Sequence, residues 1–195
     1  MSDKVKTEQE QIMFTLVIGA SASGKSDYAE RFVLSQEGSG PRIYIATMEP
    51  FGKEAQARIA RHHEMRRDRG FETLECYRNI GSVSVPPNSS VLLEDLGNLV
   101  ANELFGGYAF TEEEKNALPE RIAEEINALR TGCAHLTIVT NEVFSGGKNY
   151  EGDTLTYLRI LAKLGRLLAT RADYVVEVVC GLPDVLKRPE QEKEQ

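Results

Sequence analysis

The stretch that decides the fold is GASASGKS at residues 19–26, which matches the pattern G-x-x-x-x-G-K-S. An apolar, β-branched run, FTLVI, precedes it at 14–18, and an amphipathic stretch from about Lys25 to Gln36 follows it. A strand, a glycine-rich turn and a helix in this order form a phosphate loop, because backbone amides and the positive helix N-terminus bind phosphate oxygens. A chance glycine-rich turn is the alternative, and the flanking strand and helix disfavour it.

Roles within this loop follow from its chemistry. Backbone amides of residues 20–26 can point at phosphate oxygens, since the glycines leave room for the ligand. Lys25 is expected to bridge the terminal phosphates of a nucleoside triphosphate, and Ser26 is expected to ligate Mg²⁺. The loop therefore predicts nucleotide binding, but it does not separate a kinase from an ATPase, a GTPase or a motor.

The run VLLED at 91–95 resembles the second part of such a site, where a hydrophobic strand ends in a carboxylate beside the magnesium ion. We assign this role to Glu94. Asp95 could serve instead, and a solvated acidic pair without a ligand is the third interpretation. The motif thus predicts one metal carboxylate without deciding firmly between two neighbours.

Short apolar runs alternate with amphipathic stretches along the chain, which indicates an α/β fold with a mostly parallel sheet and helices on both faces. Besides 14–18, the runs are RIYIA at 42–46, VLL at 91–93, LTIVT at 136–140 and YVVEVV at 174–179. Ligands of such sheets bind at the carboxyl ends of the strands. Residues just past those ends are therefore candidates: Thr47, Glu94, Asp95, Asn141 and Glu142.

The remaining helices are expected at Lys53–Arg69, Leu96–Phe105 and Pro119–Arg130, the last with its proline in the first turn, where a missing N–H is tolerated. Asp153 is expected to cap a longer helix. Its leucines recur at three- and four-residue steps and predict a buried core stripe. We expect one domain over residues 12–187, with a disordered tail at 1–11 and a charged tail at 188–195.

Composition excludes several classes of function. The 195 residues carry a net charge of −7, which argues against nonspecific nucleic-acid binding. The longest apolar run, 12–20, is shorter than the roughly 20 residues that cross a bilayer, so no membrane insertion is expected. Three scattered cysteines fit a reducing compartment, and we expect a cytoplasmic protein.

Positive charge concentrates over Lys53–Arg69, which holds six lysines and arginines against three acids. At helical spacing, Arg58, His62 and Arg66 share a face. Such a face could bind nucleotide phosphates beside an imidazole, which is partly neutral near pH 7 and can attack phosphorus. A solvated basic helix without chemistry is the alternative.

Taken together, the motifs resemble the bifunctional adenosylcobinamide kinase / adenosylcobinamide-phosphate guanylyltransferase family of cobalamin biosynthesis. The matching pieces are GASASGKSDYAE at 19–30, YIAT at 44–47, ARIARHH at 57–63, Thr73 and Glu75, VLLE at 91–94, TNEV at 140–143 and RADYVVEVVCGLP at 171–183. The resemblance implies a RecA-like phosphate-loop NTPase fold, usually a homotrimer. It also implies two reactions on the corrinoid adenosylcobinamide, which use ATP or GTP with Mg²⁺.

The resemblance also implies site residues. The family's guanylylated histidine falls in the pattern R-I-x-x-H, which selects His62 over His63. Nucleotide contacts are implied for the loop residues Gly19, Ala20, Ser21, Ala22, Ser23, Gly24, Lys25 and Ser26, and for Ile45, Ala46, Thr47, His63, Glu64, Met65, Arg66, Glu75 and Glu94. Ser26 and Glu94 are the implied metal ligands.

The chain departs from the family after TNEV, where the usual G-x-G-I-V-P-E run is replaced by FSGGKNYE at 144–151. The following helix also lacks the family's F-R-D and N-Q signature, and these residues lie near the corrinoid or the subunit contact. Two alternatives follow. The chain could be a small-molecule kinase or nucleotidyltransferase with another acceptor, or a nucleotide-binding regulator without a chemical product.

Overall fold

The computed structural model describes residues 13–36, 40–66, 69–107, 109–144 and 150–189. For residues 54, 55, 58, 62, 63, 65 and 66 it describes the backbone alone. The predicted tails at 1–11 and, from residue 190, at the carboxyl end lie outside the described residues, so the domain boundaries stay a prediction.

The described residues form one seven-stranded sheet. Its strands are β1 (Met13–Gly19), β2 (Arg42–Ala46), β3 (Phe71–Glu75), β4 (Ser90–Glu94), β5 (His135–Asn141), β6 (Tyr174–Val179) and β7 (Leu182–Lys187). The spatial order is β3-β2-β4-β5-β1-β6-β7. Neighbouring strands are parallel except β6 and β7, which are antiparallel. The mostly parallel sheet expected from the sequence is confirmed.

All five predicted strands are present, and two further strands were missed. Both missed strands lie at the edges of the sheet, where one side has no partner strand. In β3 only Phe71 and Leu74 are half-buried, and in β7 every residue except Val185 is exposed. Edge strands need no continuous apolar run, so the pattern that identified the central strands does not mark them.

Helices pack on both faces, as predicted. They are α1 (Lys25–Ser35), α2 (Gly52–Arg66), α3 (Leu96–Phe105), α4 (Glu112–Thr131) and α5 (Gly152–Arg171), with a 3₁₀ turn at Ile80–Ser82. Ala29 and Val33 of α1 pack on one face against Val17, Tyr44 and Val139. Helices α3, α4 and α5 bury their apolar residues against the other face, which forms the larger core.

The leucine stripe of α5 is part of this larger core. Leu161, Leu164 and Leu168 are buried, while Leu155 and Leu158 are half-buried. The prediction of a core stripe is therefore confirmed. No helix in the described part of the chain combines the length and the hydrophobicity needed to cross a membrane.

Two predicted helix starts are wrong. Helix α4 begins at Glu112 instead of Pro119, because Thr111 and Glu114 form a capping box in which each side chain bonds the other residue's backbone N–H. Pro119 therefore lies inside the helix, where it is buried. The N-cap of α5 is Glu151, with no side-chain capping bond, and Asp153 lies in the first turn. There its charge complements the helix dipole.

Candidate functional site

The carboxyl ends of the parallel strands bring the predicted site residues to one edge of the sheet. Gly19 at the end of β1 pairs with Asn141 at the end of β5. Ala46 at the end of β2 pairs with Glu94 on one side and with Glu75 on the other. Residues that are far apart in the sequence therefore line the same edge, where ligands of such sheets bind.

The loop at 20–24 leaves β1 and enters α1 with a conformation that depends on glycine. Gly24 has φ +90°, a left-handed value, and a Cβ at Gly19 would lie 2.8 Å from the carbonyl oxygen of Val178. The N–H of Ser23 donates to the carbonyl of Ala20 at 3.2 Å, which tightens the turn. Strand, turn and helix thus have the arrangement that the motif predicted.

Lys25 is held over this loop. Its side chain belongs to the first turn of α1, the residue is only 7% exposed, and Nζ donates to the carbonyl of Ala20 at 3.1 Å. The ammonium group therefore already lies at the turn where phosphate oxygens would bind. Its contact with the terminal phosphates stays a prediction.

Ser26 and Glu94 are in contact, although β5 lies between β4, which carries Glu94, and β1, which leads into the loop before Ser26. The Ser26 hydroxyl donates a hydrogen bond to Oε1 of Glu94, and the Glu94 residue is 9% exposed. Mg²⁺ prefers hard oxygen ligands and commonly takes only one or two side chains together with phosphates and water. A hydroxyl beside a carboxylate fits this ion. Within the described residues, no group of three or more His, Cys, Asp and Glu side chains could hold a metal ion.

Asp95 has structural partners that Glu94 does not share. Its Oδ1 accepts from the backbone N–H of Asn98 at 2.7 Å and caps α3, and its Oδ2 accepts from Nδ2 of Asn141 at 3.1 Å. Burial raises the pKa of this carboxyl group. These contacts favour Glu94 over Asp95 as the metal carboxylate.

Thr47 bonds residues next to the site, and Ile45 belongs to the core below the end of β2. The Thr47 hydroxyl donates to the Asp95 carbonyl and accepts from the Asp95 N–H, both at 2.7 Å. Nδ2 of Asn102 donates to the Thr47 carbonyl at 2.8 Å and so ties α3 to the end of β2. Ile45 is fully buried in the core. Nucleotide contacts for Ile45, Ala46 and Thr47 stay predictions.

At the end of β3, Glu75 is exposed and accepts a hydrogen bond from the Tyr77 hydroxyl at 2.7 Å. That bond, with burial, raises the pKa of Tyr77 to about 12. Nearby, Arg78 forms an ion pair with Glu49 at 2.6 Å. Tyr77, Arg78 and Asn102 were not predicted from the sequence, and no motif marks them. The only available signal was an asparagine within a predicted helix, a residue that often bonds backbone groups.

Helix α2 leaves this same edge, since it follows the end of β2. The side chains of Arg58, His62, His63, Met65 and Arg66 lie outside the described residues, while Glu64 is exposed. The backbone of the basic helix therefore starts from the edge of the sheet that carries the site. The position of the His62 imidazole stays a prediction.

A second element contacts the phosphate loop from the other side. The turn between β6 and β7 places the N–H of Gly181 2.8 Å from the carbonyl of Ser23. A Cβ at Gly24 would lie 3.1 Å from the Cα of Gly181. The loop is therefore packed against this turn.

Fold and site together define an α/β protein of the phosphate-loop NTPase class. One strand, β5, lies between β1, which carries the loop, and β4, which ends in Glu94, and this is the RecA-like arrangement that was expected. Residues 15–186 match the family model described as cobinamide kinase / cobinamide phosphate guanyltransferase. The chain belongs to this family.

One curated protein and one solved structure illustrate what the chain is similar to. The bifunctional adenosylcobalamin biosynthesis protein CobU of Salmonella typhimurium is 34% identical over 181 residues, which cover 87% of this chain and 97% of that protein. The crystal structure of flagellar accessory protein FlaH from Methanocaldococcus jannaschii superposes with a TM-score of 0.47 at 10% identity, covering 91% of this chain and 79% of that one. Family membership confirms the expected class of enzyme, a nucleotide-dependent transferase.

Proposed function

We propose that this chain catalyses both reactions of its family at one nucleotide site. It would first phosphorylate a hydroxyl of adenosylcobinamide and then transfer GMP from GTP to the new phosphate, through a guanylylated His62. Family membership supports the pair of activities. The observation that carries the proposal is the hydrogen bond of Ser26 to Glu94. It brings the two predicted Mg²⁺ ligands, which come from two distant motifs, into contact.

In the kinase step, the aminopropanol hydroxyl oxygen of the corrinoid attacks the γ-phosphorus. The bond from this phosphorus to the β,γ-bridging oxygen breaks, the nucleoside diphosphate leaves and the hydroxyl proton passes to solvent. Lys25 and the loop amides hold the phosphates in line for this attack. Ser26 and Glu94 would hold Mg²⁺, which offsets negative charge on the phosphate oxygens when bound.

In the transferase step, a neutral imidazole nitrogen of His62 attacks the α-phosphorus of GTP. A P–N bond forms, the bond to the α,β-bridging oxygen breaks and pyrophosphate leaves. A phosphate oxygen of the acceptor then attacks the same phosphorus, and the P–N bond breaks with its electron pair returning to the imidazole. Two in-line displacements avoid bringing both bulky substrates together at once. The basic sequence around His62 would offset the charge that develops on phosphorus.

A different acceptor is the second candidate. The segment 144–151 departs from the family pattern, and the described residues on either side of 145–149, Phe144 and Tyr150, are exposed aromatic side chains at this edge. The nucleotide chemistry would be unchanged in that case, and only the molecule receiving phosphate would differ. Product analysis with adenosylcobinamide separates the two candidates.

The test is covalent labelling. Incubation with α-³²P-GTP and Mg²⁺ is expected to give an acid-labile, base-stable label that His62→Ala loses and that the neighbouring variant His63→Ala keeps, even if its affinity for GTP falls. Adenosylcobinamide and GTP are then expected to yield adenosyl-GDP-cobinamide by mass. An unlabelled wild-type protein, or a label that survives in His62→Ala, contradicts the mechanism.

Two further expectations belong to this proposal. We propose a homotrimer, which sedimentation equilibrium measures directly. We also propose a cytoplasmic location, which is supported by free thiols at Cys76, Cys133 and Cys180. Fractionation of cells that produce the protein tests the location.

A further inference from the structure

Arg69 connects the segment after α2 to the helix that starts at the phosphate loop. Its NH2 lies 2.8 Å from Oδ1 of Asp27, and its NH1 lies 2.8 Å from Oε2 of Glu30. Both carboxylates belong to α1, and Asp27 directly follows the metal-site residue Ser26. One guanidinium group therefore spans two acids on the first turns of the loop helix.

The contact with Glu30 is the buried half of this double ion pair, whereas the Asp27 side chain is 40% exposed. The Glu30 side chain is 3% exposed and the Arg69 side chain 26% exposed. Charged hydrogen bonds with limited access to water are stronger and hold their geometry better than solvated pairs. Separating the two segments would move the guanidinium group away from a buried carboxylate, so such a pair restricts how they can move apart.

Helix α2 exposes most of the side chains that the structure describes. Its described side chains are exposed except Ile59, which is half-buried. Before the helix, the chain is fixed at Thr47 by Asp95 and Asn102. After the helix, Arg69 is fixed on α1. The chain is therefore anchored to the rest of the fold both before and after α2.

We propose that Arg69 is a positioning residue for the guanylyl-transfer step, and this rests on the proposed role of His62. His62 lies seven residues before Arg69 in the same connection, while Asp27 follows Ser26 on the other side of the ion pair. The pair thus ties the helix that carries the nucleophile to the helix that begins at the bound phosphates. The kinase step takes its attacking and leaving atoms from the two substrates, and unlike guanylyl transfer it needs no nucleophile from α2.

The test compares Arg69→Ala with Arg31→Ala. Arg31 also pairs with Asp27, at 3.0 Å, but both residues lie on α1, so this control removes an arginine from the same carboxylate without cutting the link to α2. Arg69→Ala is expected to slow the labelling of His62 by about 10- to 100-fold, since a displacement of about 1 Å can cost that much. Its rate of adenosylcobinamide phosphorylation is expected to stay within about threefold of wild type, as are both rates of Arg31→Ala.

Hydrogen exchange of backbone amides tests the anchoring of α2 without measuring either enzymatic reaction. Backbone amides of residues 52–66 are expected to exchange faster in Arg69→Ala than in wild type or Arg31→Ala. Arg69→Lys keeps a charge beside Glu30 but cannot bridge both acids, so an intermediate labelling rate is expected; this variant also serves if Arg69→Ala does not fold.

Equal loss of both activities in Arg69→Ala, or unchanged labelling, overturns the positioning role. Unchanged exchange in α2 overturns the anchoring itself. If the wild-type protein is not labelled at all, the proposed function fails and this inference fails with it. If the wild-type protein is labelled and Arg69→Ala is labelled at the same rate, only the role of Arg69 is rejected and the proposed function is unaffected.

Discussion

Glu94 and Asp95 are adjacent acids at the end of a buried strand, and the sequence alone could not firmly separate their roles. Their side chains face different partners in the structure. Glu94 accepts from Ser26, whereas Asp95 caps α3 and binds Asn141. The strand ends at Glu94, so alternation along it does not fix the direction of the Asp95 side chain. Which direction leads to the loop depends on the position of α1, which only the fold determines.

Substituting each of these two residues in turn tests the assignment of Glu94 as the metal carboxylate. Glu94→Gln is expected to lower kcat of both reactions by about 100-fold, because a neutral amide is a poor ligand for Mg²⁺, while Tm changes little. Asp95→Ala is expected to lose a helix cap worth about 1 to 2 kcal/mol and to lower Tm by about 2–4 °C per kcal/mol. Its Mg²⁺-dependent rate below Tm is expected to fall much less than that of Glu94→Gln.

Steady-state kinetics over a range of Mg²⁺ concentrations, together with calorimetry, distinguish the two variants. The opposite pattern, in which Asp95→Ala removes the dependence on Mg²⁺ and Glu94→Gln keeps it, would assign the metal to Asp95.

The pairing of Ser26 with Glu94 was predictable from motif chemistry, since each motif implies an oxygen ligand for the same Mg²⁺ ion. The role of Thr47 was not. Its position after a strand indicated a ligand contact, but its hydroxyl serves the backbone of Asp95. Buried polar groups need partners, and which partner satisfies Thr47 depends on the pairing of β2 with β4.

Among the strands, the sequence predicted those that are buried along most of their length. Strands β1, β4 and β5 are covered on both faces and read as continuous apolar runs. The start of α4 was misplaced because the proline at 119 suggested a first turn, whereas Thr111 and Glu114 satisfy the free amides one or two turns earlier. A T-x-x-E capping box was visible at 111–114 in the sequence and is the stronger signal for a helix start.

Contact between the phosphate loop and the β6–β7 turn predicts that the loop tolerates no side chain at Gly24. Gly24→Ala would need a left-handed φ of +90° and would place a Cβ 3.1 Å from Gly181. We expect a loss of about 1–2 kcal/mol in unfolding free energy and at least about tenfold weaker binding of Mg·GTP.

The matched control is Gly165→Ala on α5, where an added Cβ meets nothing within 4 Å. Because alanine is favoured over glycine inside helices, a gain of up to about 1 kcal/mol with unchanged nucleotide affinity is expected. Isothermal titration calorimetry and chemical denaturation measure both quantities. Wild-type affinity in Gly24→Ala would show that the loop can move away from the turn.

For the whole molecule, the central question is how one edge of the sheet supports two transfers. The sequence contains one G-x-x-x-x-G-K-S motif, and the carboxyl edge of the sheet brings that loop together with Glu94. The first transfer breaks a bond at the γ-phosphorus and the second at the α-phosphorus. A single bound triphosphate can present either phosphorus, provided that different groups attack from different directions. The acceptor would approach the γ end, and α2 would bring His62 to the α end.

A shared site predicts that the two nucleotide substrates exclude each other. A β,γ-imido analogue of ATP, which cannot donate its γ-phosphoryl group, is expected to inhibit labelling of His62 competitively with GTP. It should raise KM for GTP in proportion to its concentration and leave the maximal labelling rate unchanged. AMP is the matched control: it lacks the phosphates that Lys25 and the loop amides are predicted to bind, so it should inhibit far more weakly. A lower maximal rate at unchanged KM would instead require a second nucleotide site, and the one-site account of both reactions would then be wrong.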